Sequence, residues 1–65
     1  MVKNELKEIL TERGIKQKWL AEKAGVDQGT ISLIVANKTN PNIETILRIA
    51  KVLNMQIEEF YKLNI

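Results

Sequence analysis

The sequence predicts an all-α fold, a compact five-helix bundle, and three observations lead there. Apolar residues recur at three- and four-residue spacings in short stretches, the periodicity of helices with one buried face. Gly14 and Gly25 each follow such a stretch, where a helix-ending glycine belongs. Asp27 and Asn42 each precede one, as N-caps do. Nothing in the chain reads as a strand.

The elements follow in order. A first helix over residues 3–12 carries Leu6, Ile9 and Leu10, with Val2 near the same stripe. A second over 17–24 places Leu20, Ala21 and Ala24 on one face. The third starts after Asp27, whose carboxylate can accept from the N–H of Gly29 or Thr30 and whose charge suits the positive end of the helix dipole. It holds Ile31 and Ile34 inward and ends near Asn37. Lys38-Thr39-Asn40-Pro41-Asn42 forms a polar loop. A fourth helix over 43–53 has the inner face Ile43, Ile46, Leu47, Ala50 and Leu53, and a short fifth over 57–62 adds Ile57 and Phe60.

With 65 residues, the chain is expected to be one domain, 1–65, whose core alone supplies only a few kcal/mol. There is no Cys and no His, so no disulfide or ordinary zinc set can brace it. A partner surface would help, and a homodimer is the simplest. No apolar run approaches the ~20 residues that span a bilayer, and the charged start leaves no signal-peptide core. Together with the missing Cys, this points to the cytoplasm. An enzyme is not expected: catalysis would need a carboxylate pair or an activated Ser or Lys in a pocket, and short helices offer little concave volume. The three Gly residues form no phosphate-cradling loop. No cofactor or metal is expected.

Net charge is +2, but its distribution is uneven. Residues 13–38 carry Arg13, Lys16, Lys18, Lys23 and Lys38 against Glu22 and Asp27. The flanking segments are nearly balanced, so the excess lies in the middle, as a surface facing a polyanion would have it. A solvated lysine-rich surface is the plain alternative. The second and third helices, joined by a glycine-containing turn, form the signature of a helix-turn-helix running from about 17 to 35.

Ile15-Lys16-Gln17-Lys18-Trp19-Leu20-Ala21-Glu22-Lys23-Ala24-Gly25-Val26 resembles the first half of the phage Cro/repressor-type (Xre-like) helix-turn-helix. Thr30-Ile31-Ser32, Ile34 and the loop Asn37-Lys38-Thr39-Asn40-Pro41 resemble its second half. Residues 46–53 are similar to the family's fourth helix, and the likeness spans about 5–60. It implies a repressor-like DNA-binding domain that docks its third helix in the major groove, usually as a dimer on a near-palindromic operator. Two departures stand out. Lys16 replaces the Ser or Thr that usually caps the second helix, a loss of ~0.5–2 kcal/mol. Val35-Ala36-Asn37 replaces the frequent Glu-Arg-Gly, so an ion pair common there is missing and Val35 should pack instead. Asn37 can still take the left-handed conformation.

With Ile31 and Ile34 inward, Gln28, Gly29, Ser32 and Leu33 face outward as the base-reading set, with Thr30 at one edge. Gln28 can bond adenine N6 and N7 together. Ser32 can donate or accept, and so discriminates weakly. Leu33 either touches thymine methyls or packs against the loop or another helix. Gly29 either lets the backbone approach the groove or marks a position that reads nothing. The third helix has no Arg or Lys, hence no Arg-to-guanine contact, and an A·T-leaning operator is expected. Lys16, Gln17, Lys18, Thr30, Lys38, Thr39 and Asn40 are the candidates for the DNA backbone.

Trp19 lies off the inner face of its helix. Packing against the first helix is the favoured role, ahead of the DNA backbone or a protein partner. Ile49 and Val52 fall off the fourth helix's stripe. Val52, Met55, Phe60, Tyr61, Leu63 and Ile65 either seal the monomer core or form a two-fold dimer contact, which would set two recognition helices about 34 Å apart. The competing function is an antitoxin-like or other protein-interaction module, with Trp19 or the apolar C-terminus binding a regulatory protein.

Overall fold

The computed structural model describes residues 2–63. Its elements are strand β1 (Val2–Asn4), helices α1 (Leu6–Arg13), α2 (Gln17–Ala24), α3 (Gln28–Val35) and α4 (Ile43–Leu53), a 3-10 turn (Ile57–Glu59) and strand β2 (Tyr61–Leu63).

Local chemistry sets most helix boundaries. Gly14 and Gly25 end α1 and α2 at φ +66° and +68°, a left-handed turn that glycine enters without a Cβ clash. Asp27 accepts from the Gly29 N–H at 2.9 Å to open α3, and Asn42 accepts from the Thr45 N–H at 2.9 Å to open α4. Lys16 gives α2 no side-chain cap. Asn37 takes φ +60° after α3, and Asn54 ends α4 in the same conformation at φ +56°.

The sequence predicts five helices and no strand; the described residues form four α-helices and a two-stranded antiparallel sheet. The 57–62 segment gives only one 3-10 turn before the backbone leaves the helical region at Phe60, φ −131°. A helix there would have two apolar anchors and no helix stop of its own. Pairing instead satisfies the backbone of both chain ends: Val2 faces Leu63, Lys3 faces Lys62 and Asn4 faces Tyr61. The Glu5 N–H continues the ladder to the Phe60 carbonyl at 2.7 Å. Two lysines opposite each other repel, and Glu5 lies between them, 3.4 Å from the Lys3 Nζ and 3.1 Å from the Lys62 Nζ. Hydrogen bonding and charge from Lys62, then Lys3, hold the Glu5 carboxyl below its ordinary value of 4.5.

The core joins Leu6 and Leu10 to Leu20, Ala21, Ile31, Ile34, Ile46, Ile49, Ala50, Leu53 and Phe60. The stripe of α4 is turned from its expected position. Ile49 is fully buried, whereas Ile43 and Leu47 are 69% and 53% exposed. The helix carries more apolar residues than one face can hold, and packing against α2 and the 3-10 turn selects the Ile46–Ile49–Ala50–Leu53 side. Val35 packs against the core, in place of the ion pair its position commonly holds in the family it resembles. The Val2 side chain lies outside the described detail.

Candidate nucleic-acid interface

Asp27 fixes where α3 begins, and Ile31 and Ile34 fix its rotation by burying one side. The opposite side then presents Gln28, Gly29, Ser32 and Leu33, all exposed, with Thr30 half-buried at the edge. Leu33 is 47% exposed, so it does not disappear against the loop. The Ser32 hydroxyl donates to the Gln17 side-chain oxygen at 2.9 Å. That bond ties the middle of α3 to the start of α2. A Cβ at Gly29 would come within 2.8 Å of the Asp27 Oδ2. That oxygen is the free end of a side chain that can turn aside, so a residue with a Cβ here would shift the cap slightly and not exclude itself.

Around this face, Lys16, Lys18, Lys38 and Asn40 are exposed, while Gln17 and Thr39 are half-buried. No side chain caps the start of α2, where the helix dipole favours an anion. The lysines at 16 and 18 thus flank an end of α2 that itself attracts phosphate.

Trp19 is substantially exposed, at 45%, as its place off the inner face of α2 predicts. The Lys23 Nζ sits 6.0 Å from the ring centroid, and Trp19 lines a shallow groove of about 320 Å³ with Gly14, Ile15 and Lys16. Gly14, Ile15 and Lys16 follow α1 and do not belong to it.

The C-terminal apolar set divides. Phe60 is fully buried in the core and leaves nothing for a second copy to touch. Val52, Met55 and Tyr61 are half-buried against the core, and Leu63 is 71% exposed. Ile65 lies outside the described residues.

Three side chains that hold the interface in place escape sequence reasoning. The Asn4 amide donates to the Ile34 carbonyl at 2.7 Å and its oxygen accepts from the Leu6 N–H at 2.9 Å. One residue of β1 thereby restrains the end of α3 and the start of α1. Arg48 bonds Glu44 and reaches the Ala24 carbonyl at 3.3 Å, closing the end of α2. Arg13 does the same for α4 through the Leu53 carbonyl at 2.7 Å. Only the Glu44–Arg48 spacing of four is a visible sequence signal. Among the described residues, no group of three acidic, His or Cys side chains could hold a metal.

Known proteins share this arrangement. A helix-turn-helix family profile matches residues 6–60. A helix-turn-helix-type transcriptional regulator of Rickettsia conorii is 42% identical over an alignment of 65 residues, covering 94% of this chain and 60% of that protein. A regulator of the same type from Archaeoglobus fulgidus is 32% identical, covering 92% of this chain and 86% of its own length. The chain covers 30% of the Escherichia coli regulator PuuR, at 34% identity. A crystal structure of a candidate DNA-binding protein from Bacteroides fragilis superposes with a TM-score of 0.82 at 31% identity, covering 94% of this chain and 98% of that one. With the profile spanning all four α-helices, the chain belongs to the Xre-like helix-turn-helix family.

Proposed function

We propose that this chain binds double-stranded DNA in a sequence-specific manner and regulates transcription, docking α3 in the major groove. The observation that carries the reading is the outward face of α3. A buried stripe turns Gln28, Ser32 and Leu33 outward together, beside an uncapped α2 start flanked by Lys16 and Lys18. Gln28 reads adenine, Leu33 meets a thymine methyl, and Lys16, Gln17, Lys18, Thr30, Lys38, Thr39 and Asn40 hold the backbone. Regulation is proposed to be repression, by occupying DNA that transcription needs. The protein acts as a homodimer on a near-palindromic site, through Val52, Met55, Tyr61, Leu63 and the adjoining end of the chain, in the compartment that holds the DNA, the cytoplasm.

Selection from random duplexes tests this. A short, roughly two-fold symmetric, A·T-leaning site should emerge, with affinity falling steeply as salt rises. Retention of no sequence above background at low salt would refute it.

The exposure of Trp19 favours a second reading, a regulatory protein partner on the outer side of α2. Charge reversal at Lys16, Lys18 and Lys38 separates the two. It should abolish DNA binding and leave a C-terminal protein contact intact. Because Lys16 shares the Trp19 groove, a contact through Trp19 is tested by Trp19→Ala, which should remove it and leave DNA binding standing.

A further inference from the structure

Ser32 stands in the middle of the exposed face of α3, and its hydroxyl is already engaged. A serine hydroxyl has one hydrogen to give and two lone pairs to accept with. The hydrogen goes to the Gln17 Oε1 at 2.9 Å, across 15 positions of sequence. Gln17 is half-buried at the first turn of α2, so the acceptor is held by a different helix from the one that enters the groove. Only lone pairs remain for a base.

We infer that Ser32 is a specificity-determining residue that works as an acceptor, selecting a base edge that offers an exocyclic amino group. This inference rests on the DNA-binding reading and deepens it. In the major groove adenine presents its N6 amino group and cytosine its N4 amino group, whereas guanine O6 and thymine O4 are acceptors. An acceptor-only hydroxyl meets the first pair with a hydrogen bond and the second with two facing lone pairs. Serine on its own discriminates little; Gln17 removes the ambiguity by using up the donor. With its oxygen turned to Ser32, Gln17 keeps two N–H donors for a phosphate. A backbone contact and a base preference are thus coupled through one side-chain pair. Excluding water from the docked interface strengthens both bonds.

The test uses the full chain and the site that random selection returns. Fluorescence anisotropy compares that duplex with one whose contacted adenine is replaced by purine, or contacted cytosine by its analogue lacking the amino group. Wild type should bind the depleted duplex about tenfold more weakly, the loss of one net hydrogen bond. Ser32→Ala should bind both duplexes equally, with circular dichroism showing the same helix content as wild type. Gln17→Glu keeps an acceptor for the hydroxyl and loses the amide donors. It should keep the amino-group preference while binding every duplex more weakly. Gln17→Leu frees the hydroxyl hydrogen, so the preference should collapse and guanine or thymine become tolerated. A wild type indifferent to the amino group, or one that favours guanine or thymine opposite Ser32, overturns the inference while leaving DNA binding standing. Preference unchanged in Gln17→Leu overturns it too. A wild type that retains no DNA at all removes the parent reading, a different result from either.

Discussion

At Gly29 helix propensity and the cap of α3 pull in opposite directions. Helix propensity alone favours replacing it, by up to ~1 kcal/mol for Ala. Yet a Cβ there meets the Asp27 carboxylate at 2.8 Å, and that carboxylate holds the Gly29 N–H at 2.9 Å. Loss of such a cap costs ~0.5–2 kcal/mol. The carboxylate is the free end of a side chain that can turn aside, so in urea unfolding Gly29→Ala should stay within about 0.5 kcal/mol of wild type, the propensity gain offsetting a loosened cap. Asp27→Ala should cost ~0.5–2 kcal/mol, and the double variant no more than that. Additive losses would show that the two residues do not act on the same bond. Gln28 is independent of this balance. Gln28→Ala should leave stability nearly unchanged and cost ~1–3 kcal/mol of binding at one base position per half-site. A uniform loss over all sequences would place Gln28 on a phosphate instead. Both residues are legible from sequence as members of the exposed face, because two isoleucines fix that face. The effect of a Cβ at Gly29 is not, since it depends on the direction of a neighbouring carboxylate.

At the scale of elements, legibility follows the range of the cause. The caps of α3 and α4 and the glycine stops of α1 and α2 come from residues adjacent to the helix ends, and the sequence displays them. The stripe of α4 is half legible, because Ile43, Ile49 and Leu47 are equally apolar and only the packing of other elements chooses among them. The sheet is illegible: its partners are three-residue segments at opposite ends of the chain, and no periodicity links them. The tie from Asn4 to α3 is hidden for the same reason. The sheet also carries the fold's clearest pH dependence. A carboxyl held below its ordinary value contributes stability above that value and loses it as the pH falls toward the folded one. For Glu5 the window opens near 4.5 and extends downward. Thermal melts should show the wild type losing more stability than Glu5→Gln between neutral and strongly acidic pH. The exposure of Lys3 and Lys62, at 64% and 48%, predicts that salt reduces the difference. Equal acid losses in both proteins would show that the Glu5 pairs contribute nothing.

For the whole molecule, the question is which apolar surface meets a second copy. Phe60 is core, so its replacement would report on folding and not on association. Leu63, at 71% exposure, can be changed without opening a cavity. Leu63→Glu should keep the melting temperature of the monomer while shifting sedimentation from dimer to monomer at micromolar concentration, and it should weaken binding to a two-half-site duplex far more than to a single half-site. A wild type that already sediments as a monomer on and off DNA would exclude the dimer. The chain spans 60% of the Rickettsia conorii relative and 30% of the Escherichia coli one.

The pairing of β1 with β2 has a consequence in time. It closes nearly the whole described chain into one loop, and that closure entropy must be met before the short ladder returns anything. The helix-turn-helix needs only neighbouring segments, so it can form while the ends are still free. Stopped-flow measurements on Asn4→Ala or Tyr61→Ala should therefore show faster unfolding with almost unchanged refolding, the mark of contacts made after the transition state. Refolding slowed in proportion to the lost stability would mean that the ends meet first. In the expected order, the helix-turn-helix assembles early and the sheet locks the end of α3 last, through Asn4.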